Sequence, residues 1–344
     1  MRHKSLLITV LLIASATFTI SCVTPARYHG PVSDHYNGDV FYNQSPLQGH
    51  GFSDFLSWMS NREPGVWKPI NDAKYGPKPP ANANSLNATF INHSTVLIQL
   101  GEVNIITDPI WSERASPVSW AGPERMRPPG IRFSDLPKID IVLISHNHYD
   151  HMDLPTLKRL QEKDDPLFVV GLGNSSILLD ADINRVKELD WWQKLRISES
   201  TVINAVPAQH FSMRWLGDRN QRLWMGYVVQ SSEGNIYFSG DTGMGPHFKQ
   251  IYQRFGPMRL SLLPIGAYKP RWFMADVHIS PAEAVIAHQQ LHSKYSIGIH
   301  FGTFRLADDA QDEPLLDLAI ALKEASVSDE QFWVLNFGEG RQIP

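Results

Sequence analysis

The sequence predicts an α/β protein made of two packed β-sheets with helices on the outside. Three observations carry this. Many short apolar segments read as strands, several of them are joined as hairpins, and helical patterns are few. The 344 residues are 42% hydrophobic and 19% charged, enough to bury a sizeable core. A formal net charge of −4, from 31 basic and 35 acidic residues, gives no electrostatic footprint for duplex nucleic acid, so nucleic acid is not an expected partner. The single Cys excludes an internal disulfide framework and a Cys-rich zinc module. Beyond the N-terminus no apolar run approaches the roughly 18 residues of a spanning helix.

Taken in order, residues 1–22 read as an export signal: Arg2 and Lys4, an apolar stretch from Leu6 to Ile20, then Ser21-Cys22. Thr19-Ile20-Ser21-Cys22 resembles a bacterial lipobox, which implies that Cys22 is lipidated. Val23 after it implies an outer-membrane lipoprotein held to the bilayer by its lipid. Residues 23–87 read as an N-terminal arm, with Gly76–Asn84 extended. Phe52, Phe55, Trp58 and Trp67 are too many large apolar groups for a free tail, so part of the arm is expected to pack on the body.

The strand-rich body runs over residues 88–344. Thr95–Leu100 and Val103–Thr107 flank Gly101-Glu102, a hairpin signal with Gly first. Ile139–Ile144 is a continuous apolar run, as for a strand covered on both faces. Asp153 is placed to cap a helix through Leu154–Gln161, with Pro155 in its first turn. Further strands are expected at Leu167–Val170, Val202–Val206, Gly226–Gln230, Ile236–Phe238, Leu260–Pro264, Ser296–Ile299 and Phe332–Leu335. Ser280-Pro281-Ala282-Glu283 is a capping box opening a helix to about Leu291.

Directly after Ile139–Ile144 comes Ser145-His146-Asn147-His148-Tyr149-Asp150-His151. So many imidazoles and a carboxylate in one short turn need a partner that offsets their desolvation, and a first-row metal such as zinc suits them. His146 and His148 point to one side, while Asp150 and His151 can swing to another, so one segment can feed two adjacent metals. Three more strand ends offer ligands: His210 after Val202–Val206, Asp241 after Ile236–Phe238 between glycines, and His300 after Ser296–Ile299. Together these make five His and two Asp at the ends of four strands.

This order of ligands resembles the metallo-β-lactamase superfamily. Asp108–Pro117, Leu143–His151, Glu188–Trp192 and Pro264–Met274 look more narrowly like the N-acylphosphatidylethanolamine-hydrolysing phospholipase D family, over about Ala88–Gly340. The resemblance implies an αββα sandwich and two zinc ions per chain. One zinc would sit on His146, His148 and His210, the other on Asp150, His151 and His300, with Asp241 bridging. It further implies a phospholipid substrate, cleaved to an N-acylethanolamine and phosphatidic acid. Asp150 and Asp241 are expected at the reacting centre and His278 near the phosphate. Tyr149 reads equally well as a substrate contact or as packing beside the metals. Val277 departs from the Gln of the eukaryotic members, which puts headgroup contacts in doubt. His93 is expected to hydrogen-bond in the interior, Asp108 to organise its turn, and Trp191, Trp192, Trp272 and Phe273 to line core or pocket. A lactonase, a β-lactamase-like hydrolase, a nuclease, or a silent envelope lipoprotein would keep the same fold.

Overall fold

The computed structural model describes residues 27–344, apart from Gln48, Leu216 and the side chain of Phe52. The signal-like segment and Cys22 lie outside the described residues. The elements, in chain order, begin with helix α1 (Phe52–Ser60) and strands β1 (Ala83–Asn92), β2 (Thr95–Gly101), β3 (Val103–Thr107) and β4 (Ile141–Leu143). Helix α2 (Leu154–Asp164), β5 (Leu167–Gly171), α3 (Ser175–Leu179), β6 (Val186–Leu189), β7 (Lys194–Arg196) and β8 (Val202–Val206) follow. Next come β9 (Gly226–Ser231), β10 (Gly234–Phe238), α4 (His247–Phe255), β11 (Leu260–Pro264) and the single-turn α5 (Arg271–Met274). The chain continues through α6 (Pro281–Gln290), β12 (Tyr295–Ile299), α7 (Glu313–Glu324), β13 (Phe332–Trp333) and β14 (Gly340–Gln342).

The strands form two seven-stranded sheets, ordered β14-β1-β2-β3-β4-β5-β6 and β13-β12-β11-β10-β9-β8-β7. Both are mixed: each has antiparallel hairpins on one side and parallel pairs on the other. The predicted two-sheet architecture with outer helices is therefore the observed one. Strand alternation explains the layering. In β4, Ile141 and Leu143 join the core between the sheets with Val169, Tyr227 and Leu262. Val142 points the other way and packs with Leu157 and Leu160 of α2. At the β2–β3 turn Gly101 has φ +59 while Glu102 is not in the left-handed region, the arrangement a two-residue turn with Gly first requires.

Three local readings need correction. Asp153 sits at the N-cap of α2 but makes no side-chain bond to the helix's backbone. Its carboxylate instead accepts from the N–H groups of Trp111 and Ser112 and from the hydroxyls of Ser112 and Thr156, tying a distant loop to the helix. Strand β1 begins at Ala83, inside the stretch read as an extended arm. Trp272, read as lining core or pocket, is 51% exposed beside His50 and Phe273 and so is no part of the core.

The arm is docked along much of its length. Tyr36 and Phe41 are fully buried in the main core, their rings 4.5 Å apart. His35 lies between Asp34 and Asp190, at 2.6 and 2.7 Å, and stacks on Trp191. Trp58 of α1 packs on Phe273 and donates its indole N–H to Asp308. Phe55 remains 40% exposed. No helix among the described residues is long and apolar enough to cross a membrane.

Because Phe41 is wholly inside the core, Phe41→Ala is expected to destabilise the fold by about 3–5 kcal/mol. A urea midpoint unchanged from wild type would show that the arm does not belong to the cooperative unit.

Candidate metal centre

The candidate ligands gather at one end of the sandwich because strands from both sheets stop there together. Asp108 follows β3, the His146–His151 segment follows β4, and His210, Asp241 and His300 follow β8, β10 and β12. His146, His210, Asp241 and His300 are each no more than 3% exposed, so their polar groups have left water almost completely.

Two groups of donors face each other. In the first, His148 Nδ1 lies 2.8 Å from His146 Nε2 and 3.3 Å from His210 Nε2. In the second, Asp150 Oδ2 lies 3.2 Å from His151 Nε2 and 3.4 Å from His300 Nε2. Asp241 Oδ2 stands between them, 3.2 Å from His151 Nε2, 3.0 Å from His300 Nε2 and 4.0 Å from His210 Nε2. A tetrahedral ion with bonds of ~2.0–2.1 Å needs donors about 3.3 Å apart. The separations, from 2.8 to 4.0 Å, bracket that spacing. His146, His148 and His210 form one group within metal reach, Asp150, His151 and His300 form another together with His93, and Asp241 is within such reach of His210 and His278.

For His146, His151 and His210 the outer contacts decide which ring nitrogen is bare. His151 Nδ1 donates to Asp108 Oδ2 at 2.6 Å, and His210 Nδ1 donates to the Val277 carbonyl at 2.9 Å. Ser145 gives its hydroxyl proton to Asp108 and can accept from His146 Nδ1 at 2.9 Å. Each arrangement leaves Nε2 as a lone pair aimed at the centre, the usual way a protein fixes a ligating imidazole. His151 Nε2, His300 Nε2 and Asp241 Oδ1 are buried without a hydrogen-bond partner. Buried polar atoms are rarely left so unless another group satisfies them, and a metal would. The residues therefore fit a metal.

Close backbone approach makes this geometry possible. Gly240 has φ +59, and a Cβ there would meet Ser145 Cβ at 2.4 Å, so the turn before Asp241 requires glycine. His93, Asp108 and His300 also have positive φ, held by His300 N–H to His93 O at 2.7 Å and Asp108 N–H to Leu143 O at 2.9 Å. Such strain persists only where surrounding contacts over-determine it.

Electrostatics follow from burial. Burial lowers His148 and His278 to about 4, and it holds His146 and His210 well below the usual imidazole range, all favouring the neutral form. For His300, burial opposes charge but Asp241 and Asp150 overcome it and lift the ring to about 9. His151 is likewise raised well above its ordinary value, burial being outweighed by Asp241, Asp150 and Asp108. The carboxylates that raise these two rings are the ones whose charge a metal at this site would neutralise.

The remaining candidates surround the ligands. His93 Nε2 is 2.9 Å from Asp150 Oδ2 and so orients that carboxylate. His278 Nδ1 lies 3.8 Å from Asp241 Oδ2, with no hydrogen-bond partner of its own. Tyr149 is half-buried; its hydroxyl donates to the Arg214 carbonyl at 2.8 Å and the Arg214 guanidinium covers its ring. Arg214, unremarked in the sequence, donates to the carbonyls of Asn147 and Met152 and so straddles the ligand turn. No spacing or motif marks it, since its partners lie more than sixty residues away.

Fold and site together define a metal-dependent hydrolase of the metallo-β-lactamase fold. Residues 103–301 match the β-lactamase superfamily domain. The chain is 39% identical over 272 residues to N-acyl-phosphatidylethanolamine-hydrolyzing phospholipase D 1 of Caenorhabditis elegans, covering 74% of this chain and 75% of that one. It is 35% identical over 233 residues to the mitochondrial enzyme of the same name in Saccharomyces cerevisiae, covering 66% and 49%. Among solved structures, the isothiocyanate hydrolase from Delia radicum gut bacteria superposes with a TM-score of 0.61 at 18% identity, over 74% of this chain and 98% of that one; this likeness concerns the fold. The chain belongs to the N-acyl-phosphatidylethanolamine-hydrolysing phospholipase D family of the β-lactamase superfamily.

Two outcomes are expected. Asp241→Ala should lower metal content at both positions, read by elemental analysis; full retention of metal would show that Asp241 does not bridge. The histidine contributions to metal-free stability should peak near pH 6.5. His300 contributes fully below its unfolded value of about 6.5 and loses that contribution as pH rises toward about 9. His148 and His278, which fold neutral, cost stability as pH falls below about 6.5. Metal-loaded protein should lose the alkaline slope, because metal replaces the proton on His300; thermal melts across pH read this directly.

Proposed function

We propose that this protein is a zinc-dependent phosphodiesterase that hydrolyses N-acylated phosphatidylethanolamine to an N-acylethanolamine and phosphatidic acid. The observation that carries the reading is the paired donor set, with Asp241 placed between two groups at tetrahedral spacing. Family membership supplies the substrate class, through relatives named for that reaction.

Histidine and carboxylate donors suit zinc. One zinc would rest on His146, His148 and His210, the other on Asp150, His151 and His300, with Asp241 shared. Two such ions would supply Lewis-acid charge against the charge that develops on a phosphoryl group during in-line attack. The chain's own groups do the rest. Asp150, steadied by His93, and Asp241 would balance the charge of the ions, and their oxygens would orient an attacking water by accepting its hydrogen bond. Burial lowers His278 to about 4, which favours the neutral ring, so its one N–H would offer a hydrogen bond to a phosphoryl oxygen without adding charge. Tyr149 contributes through its ring and position, its hydroxyl being engaged by Arg214.

The surroundings suit an amphiphile. Met213 and Trp215 are 39% and 46% exposed on the segment that bonds the ligand turn through Asn147 and contacts Tyr149. Trp272 is also exposed, in the turn whose Arg271 donates to the His278 carbonyl. An envelope lipoprotein anchored through Cys22 would hold this face beside its bilayer, raising the effective concentration of a lipid substrate.

At equal metal loading, turnover of N-acylated phosphatidylethanolamine in vesicles should exceed that of short soluble phosphodiesters, lactones and β-lactams. Faster cleavage of a lactone or β-lactam would reject the assignment. His278→Ala should reduce turnover by about 10-fold or more with both metals retained, as expected for loss of a positioned hydrogen bond to the reacting group. Cys22→Ala should abolish the lipid adduct in mass spectra of the exported chain; an unlipidated wild-type N-terminus would end the anchor proposal.

A further inference from the structure

Helical and strand ladders satisfy most backbone polar groups, and where a strand stops, something else must take over. Strand β8 ends at Val206, paired with Gly226, four residues before the ligand His210. Beyond that point the chain crosses the end of the sandwich without strand partners, yet His210 is wholly buried. The partner of its backbone comes from far away in sequence. Asn43 Nδ2 donates to the His210 carbonyl at 2.7 Å, and the His210 N–H donates to Asn43 Oδ1 at 3.0 Å. A single side-chain amide thus grips both polar groups of one ligand's backbone, as a neighbouring strand would.

The grip is itself fixed from behind. Trp224 Nε1 donates to the same Asn43 Oδ1 at 3.0 Å. Phe41 N–H donates to the Asn220 carbonyl at 2.7 Å, and the Phe41 ring is buried beside Tyr36. On the far side, Gln209 Nε2 donates to the Ser45 carbonyl at 3.0 Å. The residues on both sides of Asn43 are therefore pinned to the body, and Gln209, next to His210, is tied to the arm as well.

We propose that the arm is a working part of the metal centre, and that Asn43 is a positioning residue that sets His210 for metal. Its ring contact to Val277 fixes which nitrogen is bare, while Asn43 fixes where that nitrogen stands. The group that depends on Asn43 is the three-histidine one. Asp108 holds His151, while His93, itself held by Thr303, supports Asp150 through its ring and His300 through its carbonyl; among the described residues none of these supports comes from the arm. The inference rests on the two-position reading of the metal centre.

The test compares metal affinity of the full chain and two variants, using zinc competition and the absorption spectrum of the cobalt(II) form. Loss of a partner that orients a ligand commonly weakens metal binding by about 10–100-fold. Asn43→Ala should weaken one of the two metal positions by that factor, alter the cobalt spectrum and leave the other position near wild type. His35→Ala loosens the same arm away from His210, and should lower the melting temperature with both affinities unchanged. If Asn43→Ala does not fold, Asn43→Asp serves in its place: it keeps the acceptor for His210 N–H and loses the donor to the carbonyl, so a smaller loss at the same single position is expected. Wild-type affinities and spectrum in a folded Asn43 variant would overturn the proposal. Equal weakening by His35→Ala would also overturn it, because general loosening would then suffice. Failure of the two-position reading shows separately, as wild-type protein that binds fewer than two ions.

Discussion

The metal centre depends first on Asp108, a carboxylate with no exposure at all. It accepts the Ser145 N–H on one oxygen and both the Ser145 hydroxyl and the His151 ring on the other. Those contacts set the start and the end of the ligand turn from a single point on the neighbouring strand end. Through Ser145 the influence passes to His146, so one buried anion orients ligands of both groups. Its position is determined by β3 lying parallel to β4, which brings Thr107 level with Leu143. Sheet register and site chemistry are therefore one constraint: a slip of either strand would carry Asp108 away from the turn it organises.

Where the ligands come from was legible because their signal is local. Imidazoles and a carboxylate crowded into His146–His151, directly after an apolar strand, leave little room for a packing explanation. Strand β8, strand β11 and the Ser280 capping box were equally plain, since each is written in adjacent residues. The edge strands β7 and β14 were missed because their pattern is weak, each alternating only between exposed and half-buried residues. Helix α7 was missed although Pro314, Leu318, Ala321 and Leu322 follow helical spacing. Asp153 shows a subtler failure. Its position before a helix suggested a cap, but a loop more than forty residues upstream supplies stronger demand for its oxygens.

The arm shows the same limit from the functional side. Its aromatic content correctly pointed to packing, and Tyr36, Phe41 and Trp58 do pack. Nothing near Asn43 in the chain distinguishes it from other turn asparagines, however. Its partner is 167 residues away, and only the folded structure brings the two together. Exposure of Trp272 was hidden for a similar reason, because nothing adjacent in the chain shows that Phe273 and Met274, rather than Trp272, pack with Trp58.

Strand β14 has a consequence for how the molecule is made. It completes the first sheet by pairing with β1, and Ile343 N–H then bonds the Leu86 carbonyl. Arg259, from the second sheet's half, donates to the carbonyl of Ile343. A chain emerging from its N-terminus first therefore presents β1 with one edge unpaired until almost all of the other strands have been synthesised. Open edges invite pairing with other chains. Until β14 is made, that edge of the first sheet stays open to such mispairing.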